Sequence, residues 1–270
     1  MTTSRTLSPG TPRSGPAAGT APVDSPMLRR LAAEKATGAL MRERGTLYLA
    51  DGQVIYAESP DAPTLDTLLT TGGLLSPEDW CEALTEAGPG QWVGRFLVDR
   101  GHFPEGALEL CHLSALYDAA FFVLGTGGGP ARFRYGVAHW MGAVRPVPVD
   151  AVQRETARRR ELLHGIWPED VTDTQPLVRT RLAPDPGLPR RQHAILERVD
   201  GVRTASDVSL ALGRPAFHTL VDVRRLAAAG IVTAARRPSR PPTAPTRLPE
   251  TPAGPDIALL RRLKNALEAL

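Results

Sequence analysis

Lysine is nearly missing from this chain: of the 32 basic residues among its 270, only Lys35 and Lys264 are lysines. The rest are arginines, which fits the codon bias of a GC-rich genome as well as selection for phosphate binding. Cysteine is equally scarce. Cys81 and Cys111 both fall at apolar positions of helical segments, which excludes a disulfide framework and suits a reducing compartment. No run of 18 apolar residues occurs, and no apolar stretch follows the first basic residues. The expectation is a soluble cytoplasmic protein that does not engage a membrane.

The parts of known catalytic sites are lacking too. There is no GxSxG, no HExxH and no paired-carboxylate constellation. The glycine run "GTGGGP", Gly125 to Pro130, follows a helical segment and precedes a strand-like one. A phosphate loop needs the opposite order, so this run reads as a connection. No CxxC or HxxxH spacing unites Cys81, Cys111, His102 and His112; Cys111 lies on the long helix's apolar stripe and His112 borders it. A non-enzymatic protein with no catalytic residues, no metal and no cofactor is expected.

Proline and glycine, by contrast, are plentiful at 26 and 25, and they cluster. Residues 1–26 read as a disordered tail and 238–255 as a proline-rich linker, neither with the apolar content to offset chain entropy. The folded mass lies between them. Charge is unevenly spread there: 9 basic against 14 acidic residues over 27–142, 7 against 7 over 143–189, and 10 against 4 over 190–240. Such a split suggests two parts with different partners, the second suited to an anionic surface.

Ser25-Pro26 reads as an N-cap and first-turn proline for a helix ending near Gly38. "GALMRERGTLYLADGQVIYAE", Gly38 to Glu58, then gives a three-strand meander turning near Arg44-Gly45 and at Asp51-Gly52, the strongest short-range signal for a two-residue hairpin. Counting from that turn pairs Ala50 with Gln53, Leu49 with Val54, Tyr48 with Ile55 and Leu47 with Tyr56, leaving apolar groups on both faces. The segments "TLDTLLTTGGLLSPEDW" and "VGRFLVDRGHFPEGALEL" repeat a helix, glycine stop and proline-started helix; Gly73 maps onto Gly101 and Trp80 onto Leu108. A long apolar helix follows, and "ARFRYG" alternates like a closing strand. Tyr48, Tyr56, Trp80 and Trp92 read as core aromatics.

This order of parts over 27–142 resembles the PATAN domain, a module found beside receiver and other signalling domains in bacteria. The resemblance implies an α+β fold with interaction or sensory roles and no catalytic residues. "GRFLVDRGHFPEGALEL" is also similar to the amino-terminal module of secretion and pilus ATPases, some of which bind a cyclic dinucleotide through an arginine, leucine, glycine start. Here Trp92-Val93 precede Gly94, so that arginine is absent.

Residues 143–187 read as a helical connector and linker, with Arg158, Arg159 and Arg160 on a solvated face beside Glu155 and Glu161. Over 188–237, three helices near 189–199, 204–212 and 215–229 precede the strand-like "IVTA", and "RRLAAAGIV" resembles the end of a winged helix-turn-helix domain. The resemblance implies duplex DNA as a partner, with the third helix in the major groove. Its helical wheel points His218, Val221, Asp222 and Arg225 outward. The candidate DNA contacts are Arg190, Arg191, Arg214, His218, Arg224, Arg225, Arg236, Arg237 and Arg240.

Residues 256–270, "DIALLRRLKNALEAL", carry Ile257, Leu260, Leu263 and Leu267 at helical spacing as candidate partner-binding positions, on the same chain or in a dimer. The expectation is a bacterial regulator, with DNA-binding transcription regulation as the leading reading. The alternatives are a signalling adaptor whose winged helix docks proteins, and a cyclic-dinucleotide sensor.

Overall fold

The computed structural model describes residues 25–125, 130–181 and 187–235. The Ser25 hydroxyl accepts from the Leu28 N–H and starts α1 (Pro26–Ala33), which buries Leu28 and Leu31. The meander follows as expected: β1 (Gly38–Arg42), β2 (Gly45–Ala50) and β3 (Gln53–Glu58), all antiparallel. Asp51 and Gly52 turn β2 into β3 with φ of 48° and 77°, the two positive values a type I′ turn requires.

The pairing beyond that turn departs from simple counting. Ala50 meets Gln53 and Leu49 meets Val54, but Tyr48 then meets Tyr56 and Leu47 meets Ala57. Ile55 is therefore the extra residue of a β-bulge. Because facing residues share a side of the sheet, Leu47, Leu49, Val54 and Ala57 line one face and Tyr48, Tyr56 and Glu58 the other. The hairpin is apolar on both sides because each face serves a different core.

Four helices build the repeat: α2 (Leu65–Thr70), α3 (Pro77–Ala87), α4 (Val93–Asp99) and α5 (Glu105–Val123). The Ser76 hydroxyl caps α3 by accepting from the Asp79 N–H. The two halves of the repeat stop alike. The Leu75 N–H donates to the Leu69 carbonyl and the Phe103 N–H to the Leu97 carbonyl, 28 residues on, across Gly73 and Gly101 at φ of 72° and 73°. No atom stands within 4 Å of a methyl built on either glycine. Gly73→Ala and Gly101→Ala should therefore each lose only backbone ease, about 1–2 kcal/mol, and urea denaturation should find the two losses nearly equal.

The chain then closes the sheet with β4 (Arg132–Tyr135) and a short β5 (Val147–Pro148), giving the order β4-β1-β2-β3-β5. The remaining elements are α6 (Val149–Ile166), α7 (Val171–Thr174), β6 (Leu177–Arg179), α8 (Arg190–Leu196), α9 (Ala205–Leu212), α10 (Ala216–Ala228) and β7 (Val232–Ala234). In α9 the Thr204 and Asp207 side chains form a reciprocal capping box, and Gly213 ends the helix in the left-handed conformation.

Two apolar clusters fill the interior. One joins Tyr56 to the helical repeat through Leu65, Leu69, Trp80 and Leu97. The other runs without interruption from Leu47 and Leu49 of the sheet through α1, α5 and α6 to Leu220 and Val223 of α10. Helix α5 serves both, Leu108 and Ala115 in the first and Leu116 and Phe122 in the second. Among the described residues it alone has the length and apolar content to cross a membrane, and half of its apolar window is buried inside this fold.

The fold is α+β with an antiparallel sheet. Helices α8, α9 and α10 form the expected trio, but a wing takes two strands after the third helix. Here β7 alone follows α10 among the described residues, and its antiparallel partner β6 precedes α8.

Candidate functional site

The candidate nucleic-acid interface sits on α10, and its wheel is only partly as expected. His218 and Arg225 face outward and Val221 is half-buried, but Asp222 is 2% exposed and lies beneath arginines. It accepts from Arg191 Nε at 3.1 Å and from Gln192 Nε2 at 3.2 Å, and Arg214 and Arg225 each bring a guanidinium nitrogen to 3.7 Å. Three of the candidate cations thus gather round one carboxylate. Arg190 is exposed at the start of α8.

Arg224 departs from the expectation altogether. It is 4% exposed, holds Asp173 through two bonds of 2.8 and 2.6 Å, and donates to the main-chain oxygen of Trp167. It points into the seam between α10, α6 and α7, away from any phosphate. Helical spacing sets it beside Arg225, but one residue's rotation turns it inward. Arg236, Arg237 and Arg240 lie outside the described residues, as do Ile257, Leu260, Leu263 and Leu267.

The first turn of α10 is tied to the amino-terminal half. Asp118 of α5 accepts from Arg159 Nη1 at 2.6 Å through one oxygen and from the Phe217 N–H at 3.1 Å through the other. Burial pushes this carboxyl up, against the opposing pull of Arg159. The Arg159 guanidinium lies 4.5 Å above the Phe217 ring. The three consecutive arginines therefore do not share a solvated face: Arg158 is exposed against Glu155, Arg159 is buried, and Arg160 bonds the Leu124 carbonyl.

A second polar cluster covers the Tyr48 face of the sheet. The segment between β4 and β5 lays His139 flat on Tyr56, with ring centroids 3.8 Å apart and planes 13° from parallel, and brings Trp140 against Trp80. The Met141 N–H donates to His139 Nδ1, so the ring proton sits on Nε2 and is donated to Glu58 at 3.0 Å. Tyr48 donates its hydroxyl to the same carboxylate at 3.1 Å. The hydrogen bond from His139 holds the Glu58 carboxyl below its usual range, while burial and Glu58 push the Tyr48 phenol up to about 12. Tyr56 is buried as expected and Tyr48 half-buried, whereas Trp92 is 42% exposed.

His112 stands at the inner end of this cluster, 5.6 Å from the Tyr56 ring. It is fully buried rather than bordering the apolar stripe, and neither ring nitrogen has a hydrogen-bond partner among the described residues. The Arg145 main chain lies near enough to favour the protonated ring slightly, but not in hydrogen-bond geometry. Burial dominates and lowers the pKa to about 4. The folded protein keeps this ring neutral down to that pH, whereas the unfolded chain takes a proton near 6.5, so acid favours unfolding across the interval. His112→Phe should remove about 3 kcal/mol of stability loss between pH 6.5 and 4, checked by denaturant titrations at each pH.

Asp79, Glu82 and His102 place one ligand atom each within 4.8 Å of the others. The carboxylates, however, face different ring nitrogens, Asp79 toward Nδ1 at 3.4 Å and Glu82 toward Nε2 at 3.8 Å. A metal takes one imidazole nitrogen, and the two carboxylates do not converge on one. Cys81 is exposed, not the packed core thiol that the apolar spacing suggests, whereas Cys111 is half-buried and packs against the Tyr56 cluster. Gly94, the first residue of the "GRFLVDRGHFPEGALEL" segment, donates its N–H to the Met141 carbonyl, and a methyl there would press into Val144.

The fold and its clusters thus define an α+β protein organised by buried ion pairs. No family model matches the chain, and no curated protein or solved structure matches it either.

Proposed function

We propose that this chain is a non-enzymatic regulatory adaptor, a protein-interaction module in which α10 is a structural element rather than a reader of bases. One observation carries this reading: α10 is packed against α6, α7, α8 and α9, leaving a stripe of His218, Val221, Arg225 and Ala228. A recognition helix needs a broad polar face to reach base edges in the major groove. A second reading, a DNA-binding transcriptional regulator, draws support from the arginines around Asp222, which keep an exposed cationic side for phosphates.

Titration of the full chain into labelled duplex DNA at low and moderate salt separates the two. The adaptor should show no sequence preference and nothing tighter than the ordinary non-specific range, about 10⁻⁴ to 10⁻⁶ M. Tight, sequence-selective binding that Arg225→Glu abolishes would establish the second reading instead.

A further inference from the structure

Among the described residues, the sheet ends in an open edge. Strand β4 pairs with β1 on one side only, and the register Gly38–Tyr135, Ala39–Arg134, Leu40–Phe133, Met41–Arg132 continues into the Gly136 N–H bond to the Thr37 carbonyl. Antiparallel ladders alternate bonded and non-bonded pairs. Counting from Gly136, the main-chain groups of Arg134 and Arg132 point in toward β1, and those of Phe133 and Tyr135 point out.

The side chains alternate as well. Arg132 and Arg134 are exposed on the face that also carries Tyr48, and neither has a carboxylate partner among the described residues. Phe133 and Tyr135 occupy the other face, with rings 4.7 Å apart and Tyr135 two-thirds exposed. This edge offers a main-chain ladder, two cations spaced two residues apart on one side and a pair of rings on the other.

From this geometry we infer that β4 is a docking edge for an extended acidic segment of a partner protein, which adds a sixth strand with carboxylates against Arg132 and Arg134 and apolar residues against Phe133 and Tyr135. Charge decides the occupant. A second copy joining edge to edge about a two-fold axis keeps equivalent faces together, and so sets Arg132 and Arg134 opposite the copy's own arginines. The chain's tails do not fit: residues 1–24 have only Asp24 as an acid and four prolines that cannot donate, and the acids over 236–270, Glu250, Asp256 and Glu268, stand six and twelve residues apart rather than two. The inference rests on the adaptor reading.

The test uses the full chain and a labelled nine-residue peptide alternating glutamate and valine, with a lysine and valine peptide as control. At low salt the glutamate peptide should bind at least about tenfold tighter, the difference shrinking as salt rises. Hydrogen exchange should slow at the Phe133 and Tyr135 amides and stay unchanged at Arg132 and Arg134. The variant Arg132→Glu/Arg134→Glu, with both side chains in solvent, should fold normally and prefer the lysine peptide. Equal binding of the two peptides, no binding, or protection elsewhere would overturn the docking edge and leave the arginines as guards against aggregation. The DNA titration tests the adaptor reading separately, so the two failures are told apart.

Discussion

Replacing Asp118 with alanine is expected to destabilise the protein by about 3–5 kcal/mol, enough to lower the melting temperature by about 6–20 °C in a domain of this size. The physical reason is what the substitution leaves behind. Arg159 remains 8% exposed with Glu155 alone to balance it, and the Phe217 N–H at the start of α10 loses its acceptor. Asp118→Asn keeps acceptor capacity but loses the charge, and should fall between wild type and alanine. The double replacement Asp118→Leu/Arg159→Met removes both charges together and should recover much of the loss, because the desolvation penalty leaves with them. If the double variant is instead as unstable as the sum of the singles, the pair is not coupled and the attachment of α10 through Asp118 is wrong. Urea unfolding of wild type, Asp118→Leu, Arg159→Met and the double variant gives the cycle directly.

Local signals foretold local structure well. Ser25-Pro26, Asp51-Gly52, the glycine stops at Gly73 and Gly101 and the Ser76 cap all act within a few residues, and each element they frame is present, though α1 stops at Ala33, five residues short of the expected Gly38, where β1 begins. What alternation cannot reveal is an inserted residue. The bulge at Ile55 moves Tyr56 and Glu58 to the Tyr48 face, and with that shift the whole His139 cluster is assembled. His139 and Trp140 themselves lie in an aperiodic connection, where nothing in the pattern marks them.

Long-range charge pairing was equally hidden. The acidic and arginine-rich parts look like halves with separate partners, yet Asp118 meets Arg159 and the Phe217 main chain, and Asp173 meets Arg224, across 41, 99 and 51 residues. Spacing along one helix distinguishes inside from outside only when a single flank is packed. Helix α10 packs on two, and the second flank comes from segments far away in sequence.

Arg224→Ala should cost about 3–5 kcal/mol, whereas Arg225→Ala, one position on, should change stability by no more than about 0.5 kcal/mol. Arg225 keeps half its side chain in water and has only a 3.7 Å approach to Asp222. Arg224 is sealed in, and removing it strands Asp173 and the Trp167 carbonyl without their donor. Burial already pushes the Asp173 carboxyl up, so once Arg224 is gone the acid has little but protonation to relieve it. The Arg224→Ala variant should then recover part of its loss as pH is lowered toward the range where that carboxyl takes a proton, a trend that wild type lacks. Arg224→Lys should rescue poorly, since an ammonium cannot form the paired contacts that the planar guanidinium makes. Were these arginines interchangeable phosphate contacts, the two alanine variants would behave alike in stability and differ from wild type only in salt-dependent DNA affinity. A large stability gap between adjacent positions, measured by denaturation without any nucleic acid present, is the signature of a helix whose second flank is core.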